Sequence, residues 1–111
     1  MDTARLAPFE ALVALDPSDT VVRFGLGDLY VQAQAFAQAA EQFAEIIRLD
    51  PHYSAAYRYL GQAYVALGRR AEAAETFQRG IAIAEARGDL QTVKEMQVFL
   101  RRLHKSGEAD T

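Results

Sequence analysis

The pentapeptide Leu15-Asp16-Pro17-Ser18-Asp19 (LDPSD) returns as Leu49-Asp50-Pro51-His52-Tyr53 (LDPHY), and the two prolines are 51 − 17 = 34 residues apart. A turn that recurs at a fixed interval marks a repeated structural unit. Sliding residues 20–51 onto residues 54–85 pairs Leu26 with Leu60, Gly27 with Gly61, Tyr30 with Tyr64, Ala39 with Ala73 and Phe43 with Phe77, all identities at the same offset. Each unit divides into two stretches with apolar residues at three- and four-residue intervals, such as Leu26, Tyr30 and Ala33, or Ala39, Phe43 and Ile46-Ile47. That spacing predicts helix faces, two per unit.

The punctuation agrees. Pro51 cannot continue the helix before it, Gly68 suits a left-handed helix end, and Ser18 and Asp19 offer side-chain oxygens to cap a helix opening near Thr20. Gly27 and Gly61 sit inside predicted helices, where glycine costs about 1 kcal/mol relative to alanine. Paired with Ala39 and Ala73, they predict close helix crossings with Tyr30/Phe43 or Tyr64/Phe77 beside them. One such hairpin cannot bury its apolar faces alone, so the units must stack.

Leu26-Gly27, Tyr30, Ala39, Phe43 and Pro51 in one unit, and Tyr57, Leu60-Gly61, Tyr64, Gly68, Ala73 and Phe77 in the next, resemble the tetratricopeptide repeat. The resemblance implies an all-α fold, a right-handed α-solenoid of antiparallel helical hairpins, and a non-enzymatic protein-interaction scaffold. Three positions depart from the pattern. Arg23 fills an aromatic slot, Gln34 replaces an inter-helix glycine, and Glu85 stands where a closing proline would be, which extends that helix to about Arg87-Gly88.

The expected organisation is one domain over residues 1–111, with full repeats at 20–53 and 54–87. Residues 2–15 read as the second helix of an incomplete repeat, since Phe9, Leu12 and Pro17 fall one period before Phe43, Ile46 and Pro51. Residues 89–105 read as a closing helix, and 106–111 as a frayed tail. Caps at both ends favour a self-contained unit. The closing helix carries Leu90, Val93, Met96, Phe99, Leu100 and Leu103 over a wide arc, with Val98 beside it. Val98 and Phe99 are read either as a partly exposed rim or as a self-association patch making a homo-oligomer.

Composition narrows the function. The chain is half apolar and 24% charged, with a net charge of −3 and no cysteine. Residues 1–50 hold 3 basic and 8 acidic side chains, whereas 51–111 hold 9 and 7. No apolar run reaches the roughly 20 residues of a membrane span, and no basic, greasy leader opens the sequence. The expected location is cytoplasmic, with no membrane partner. An acidic chain without a basic stripe is a poor fit to nucleic acid. His52 and His104 lie in no metal-ligand spacing, Gly25 and Gly27 lack a preceding strand, and Ser18, Ser54 and Ser106 lack a nucleophile setting. Glu41, Glu45, Glu72 and Glu75 fall on polar helix faces. No catalytic group, cofactor or metal is expected.

Binding is the remaining role. By similarity to the family's concave groove, the inward positions are Val21, Phe24, Asp28, Val31 and Gln32 in the first unit, and Ala55, Arg58, Tyr59, Gln62 and Val65 in the second, with Tyr53 at the junction. Chaperone-binding members hold carboxylates with a basic and an amide residue one turn apart, as Arg58 and Gln62 are. The matching places in the first unit carry Phe24 and Asp28, and Asp28 repels an acidic peptide. The expected partner is therefore a peptide or helix of another protein, with an apolar anchor for Phe24 and Val31, a basic group for Asp28 and an acidic one for Arg58. An Arg58–Asp28 ion pair filling the groove is the alternative.

Overall fold

The structure, a computed structural model, describes residues 3–109; of residues 2–15 and 106–111, Asp2, Asp110 and Thr111 lie outside that range. It contains six helices: α1 (Thr3–Leu15), α2 (Thr20–Gln32), α3 (Phe36–Leu49), α4 (Ser54–Ala66), α5 (Arg70–Arg87) and α6 (Leu90–Ala109). No strand occurs among the described residues. Each helix packs on its sequence neighbours, and α4 also touches α6. The result is an all-α helical-repeat solenoid of 44 × 31 × 19 Å.

The recurring turn has one construction in both copies. The backbone N–H of Asp19 donates to the Asp16 carbonyl at 3.1 Å, as Tyr53 does to Asp50 at 3.1 Å. The carboxylate of the leading aspartate accepts from the amide two residues on, Ser18 at 3.2 Å and His52 at 3.1 Å. Proline between them fixes the backbone angle and needs no donor. Arg23, the departure from the aromatic slot, keeps the slot's contact. Its Nε donates to the Pro17 carbonyl at 2.6 Å, where the Tyr57 hydroxyl donates to Pro51 at 2.8 Å.

Asp19 caps α2 by accepting from the amides of Val21 and Val22 at 3.0 and 3.1 Å. Ser18 does not share that work, because its hydroxyl donates to Asp16 at 2.8 Å. Gly68 and Gly88 end α4 and α5 with φ of 75° and 72°. Gln34, one period before Gly68, takes the same left-handed conformation at φ 59°. The extended reading of α5 holds: it runs to Arg87 with Gly88 as its left-handed cap.

The helical glycines make room for rings. A Cβ on Gly27 would lie 2.7 Å from Phe43 Cζ, and one on Gly61 would lie 2.3 Å from Phe77 Cε1. Each crossing is thus filled by a phenylalanine from the facing helix, with Ala39 and Ala73 fully buried beside it. Three apolar clusters follow one another along the solenoid: Leu6, Leu26 and Leu29 between α1 and α2, then one around Phe43, Ile46 and Leu60, then one around Tyr57, Phe77, Val93 and Met96. α6 begins 90 − 54 = 36 residues after α4, against 54 − 20 = 34 between α4 and α2. It therefore occupies the place of a third first-helix, and its backbone continues past Lys105 to Ala109.

Candidate functional site

The first helices of successive units, α2, α4 and α6, line one wall, joined by side chains of two consecutive residues of α4. Tyr59 reaches back to α2, with its ring edge-on to Phe24 at 4.8 Å and stacked on Phe43 at 5.2 Å. Phe24 also meets Phe43 at 5.3 Å and stacks on Tyr53 at 5.7 Å. Arg58 reaches forward to α6, where its Nε lies 3.0 Å from Glu95 Oε2. Its guanidinium lies 4.5 Å over the Tyr59 ring, and one nitrogen donates to Gln62 Oε1 at 3.4 Å.

This geometry changes the expected roles of several positions. Phe24, Tyr53 and Tyr59 are half-buried and form the seam between units, so Phe24 is a wall residue and not a free anchor. Val31 packs against the central cluster. The Arg58–Asp28 pair is replaced by Arg58–Glu95, because the Tyr59 ring occupies the α2 side and the α6 carboxylate lies on the other flank. Asp28 instead accepts from Gln32 Nε2 at 2.9 Å. Val21, at the front end, is 74% exposed, Ala55 is half-buried, and Val65 is open at the far end of α4.

Sequence reasoning missed the contribution of α6. Glu95 holds Arg58 and accepts from Gln91 at 3.3 Å. Beyond it, a cleft of about 620 Å³ opens between the C-terminal turns of α4 and α6. Val65, Phe99 and Leu103 give it apolar walls, and Arg70 and Arg102 stand at its edge. Arg70 donates to Ser106 at 3.2 Å, and the Arg102 guanidinium lies 5.8 Å from the Phe99 ring centre. Phe99 is also stacked on Phe77 at 5.7 Å, which places it inside the third cluster, while Val98 is half-buried. The signal that could have revealed α6 was the Asp89-Leu90 start, once the longer α5 is allowed to shift the period by two.

His52 and His104 are exposed, and among the described residues no group of three or more His, Asp or Glu side chains gathers as a metal site. No described helix is long and apolar enough to cross a membrane.

Comparison with known proteins gives the arrangement a family. The tetratricopeptide repeat family model matches residues 31–96. A TPR repeat-containing protein of Pseudomonas aeruginosa is 39% identical over 97 residues, covering 87% of this chain and 92% of its own. The solution structure of a Bordetella parapertussis protein is 38% identical and covers 91% of this chain and 88% of its own, with a TM-score of 0.80. The first TPR domain of Spaghetti (RPAP3), bound to the HSP90 peptide SRMEEVD, is 21% identical, with a TM-score of 0.79 over 91% of this chain and 75% of its own, a likeness of fold. The repeated turn, the ring-filled glycine crossings and these matches agree: the chain belongs to the tetratricopeptide repeat family.

Proposed function

We propose that this chain is a non-catalytic protein-interaction module that holds a peptide segment of a partner protein along the wall formed by α2, α4 and α6. The observation that carries this reading is the open cleft of about 620 Å³ at the end of that wall, apolar inside and flanked by two guanidinium groups. Its volume is in the range of ligand-holding clefts. A similarly folded domain bound to a peptide, that of Spaghetti (RPAP3), supports the general use of such a wall.

The ligand chemistry follows from what the wall leaves unsatisfied. An apolar side chain fits among Val65, Phe99 and Leu103, an acidic group lies within reach of Arg102, and a basic group near the other end meets Asp28. Arg58 already has Glu95 as its counter-ion, so an acidic group there must displace an existing pair. Selection of peptides from a random display library on the purified protein tests the proposal, with affinities then measured by calorimetry for wild type, Val65→Asp, Arg102→Glu and Asp28→Lys. Val65 and Arg102 are exposed and Asp28 is half-buried, so circular dichroism of each variant accompanies the titrations to check that the fold is retained. Selected peptides should share an apolar–acidic pair and lose affinity at least 10-fold on the first two variants. Peptides that bind all four proteins equally would refute the assignment.

A further inference from the structure

Successive first helices of the wall meet through one repeated contact, and its chemistry changes between the two copies. Phe24 of α2 meets Tyr59 of α4 with ring centres 4.8 Å apart, and Arg58 of α4 meets Glu95 of α6 at 3.0 Å. Phe24 and Arg58 are counterparts at 58 − 24 = 34 residues, and Tyr59 and Glu95 at 95 − 59 = 36, the offset between the starts of α4 and α6. The first copy is an uncharged ring pair, whereas the second sets a carboxylate at the middle of the wall. Both Glu95 oxygens are in use: Oε2 lies against Arg58 Nε, and Oε1 accepts from Gln91 Nε2 at 3.3 Å. Arg58 is held in addition by Gln62 Oε1 and by the face of the Tyr59 ring. Even so, the two side chains keep 23% and 33% of their surface open to solvent, so a ligand crossing the wall meets the pair itself.

We propose that Glu95 is a specificity-determining residue of the wall: a carboxylate supplied by the chain itself, which occupies Arg58 and turns acidic side chains of a peptide away from the wall's middle. The inference rests on the reading of this wall as a peptide-binding surface. A ligand carboxylate at Arg58 competes for a guanidinium that already has its counter-ion, and it then lies beside Glu95 with like charge. That repulsion acts against acidic ligands and leaves uncharged ones unaffected, which is how an interface rejects a wrong partner without tightening on the right one. Charge along the wall therefore runs from Asp28 on α2, through the neutralised Arg58–Glu95 pair, to Arg102 beside the cleft. The partner that fits is a peptide segment with uncharged side chains over α4 and its acidic group confined to the Arg102 end. Glu95 acts through Arg58 and needs no contact with the ligand. Removing its charge should convert the middle of the wall into a carboxylate site, with Arg58 still positioned by Gln62 and Tyr59.

Titration of nitrogen-15-labelled protein with acetyl-tetraglutamate, followed by NMR at the Arg58 Nε–H resonance, tests this. Glu95→Gln is expected to bind the probe at Arg58 at least about 10-fold more tightly than wild type, and Arg58→Gln/Glu95→Gln to lose the gain. Glu95→Ala should gain at least as much, so that a glutamine amide holding Arg58 in place of the carboxylate cannot mask the effect. Glu75→Gln, at an exposed position of α5, makes the same change in net charge and should behave as wild type. Circular dichroism of each variant checks the fold. A purely structural role for Glu95 predicts no gain in affinity. Equal responses at Arg58 in wild type, Glu95→Gln and Glu95→Ala, or an equal gain in Glu75→Gln, would overturn the proposal. The probe is supplied and the readout sits at Arg58, so failure of library peptides to respond to the cleft variants would refute the cleft assignment and leave this result standing.

Discussion

Replacing Gly61 with alanine tests the packing rule that organises the whole solenoid. Alanine in a helix interior gains about 1 kcal/mol over glycine from propensity, so an open site would be stabilised. Here the new Cβ would meet three atoms of the Phe77 ring at 2.3, 2.6 and 2.7 Å. The ring cannot retreat cheaply: it is fully buried and stacked on Phe99 at 5.7 Å. Overpacking of this kind costs about 1–3 kcal/mol, so a net loss of roughly 1 kcal/mol is expected, read as a drop of about 4–8 °C in thermal midpoint. The magnitude alone could have another origin, and a double-mutant cycle isolates it. In a Phe77→Leu background the clash is gone, and Gly61→Ala should become neutral or stabilising. Additive effects across the cycle would refute the reasoning. Gly27→Ala, whose nearest Phe43 contacts are looser at 2.7, 3.0 and 3.1 Å, should lose less than Gly61→Ala.

Gln34→Gly should raise stability by about 0.5–1 kcal/mol, because it relieves a left-handed residue at φ 59°; an unchanged chemical denaturation midpoint would contradict that origin. Asp89 accepts from the Thr92 amide at 3.3 Å and the Ser54 hydroxyl at 2.9 Å, and hydrogen bonds from Thr92 and then Ser54 hold its carboxyl below the usual aspartate value. A depressed folded-state value gives stability that is present above the unfolded carboxyl's titration, near pH 4, and lost as pH falls through the folded one. Asp89→Ala should therefore cost roughly 1 kcal/mol at pH 7, with the gap to wild type narrowing below pH 4 in denaturation series. Arg58→Ala should lower the thermal midpoint more than peptide affinity, and Arg102→Ala should do the reverse, as melting curves and titrations on the same proteins would show.

The period, the helix pairs and the glycine crossings were legible because each depends on residues at fixed separations within 34 positions. Contacts set by the third dimension were not. α5 is four residues longer than α3 and the turn after it is shorter, so the place of α6 shifts by two and a strict 34-residue slide misses Glu95. Gly80, which a Cβ would drive to within 2.5 Å of Tyr57 and 2.6 Å of Met96, is a close approach across three helices with no counterpart in the first unit. Ser18 and Asp19 were equivalent as caps on chemistry alone. The turn distinguishes them, since the Asp16 carboxylate takes the serine and leaves the amides of α2 to Asp19.

The selectivity expected of the proposed binding wall follows from how adjacent residues of α4 divide their contacts. Tyr59 faces α2 and Arg58 faces α6, so this one helix turn joins all three first-helices. The Arg58–Glu95 pair is partly shielded, with side chains 23% and 33% exposed, and the Tyr59 ring under the guanidinium adds a cation–π contact. A ligand carboxylate at Arg58 must break that arrangement and leave Glu95 uncompensated beside it, which offsets most of the gain. Among the described residues Arg102 has no such paired carboxylate, and its contact is the loose one over Phe99. The pair that looks most like a family clamp in sequence, Arg58 and Gln62, is thus used to hold the units together, and the recognition site proposed above lies in the cleft one helix further on.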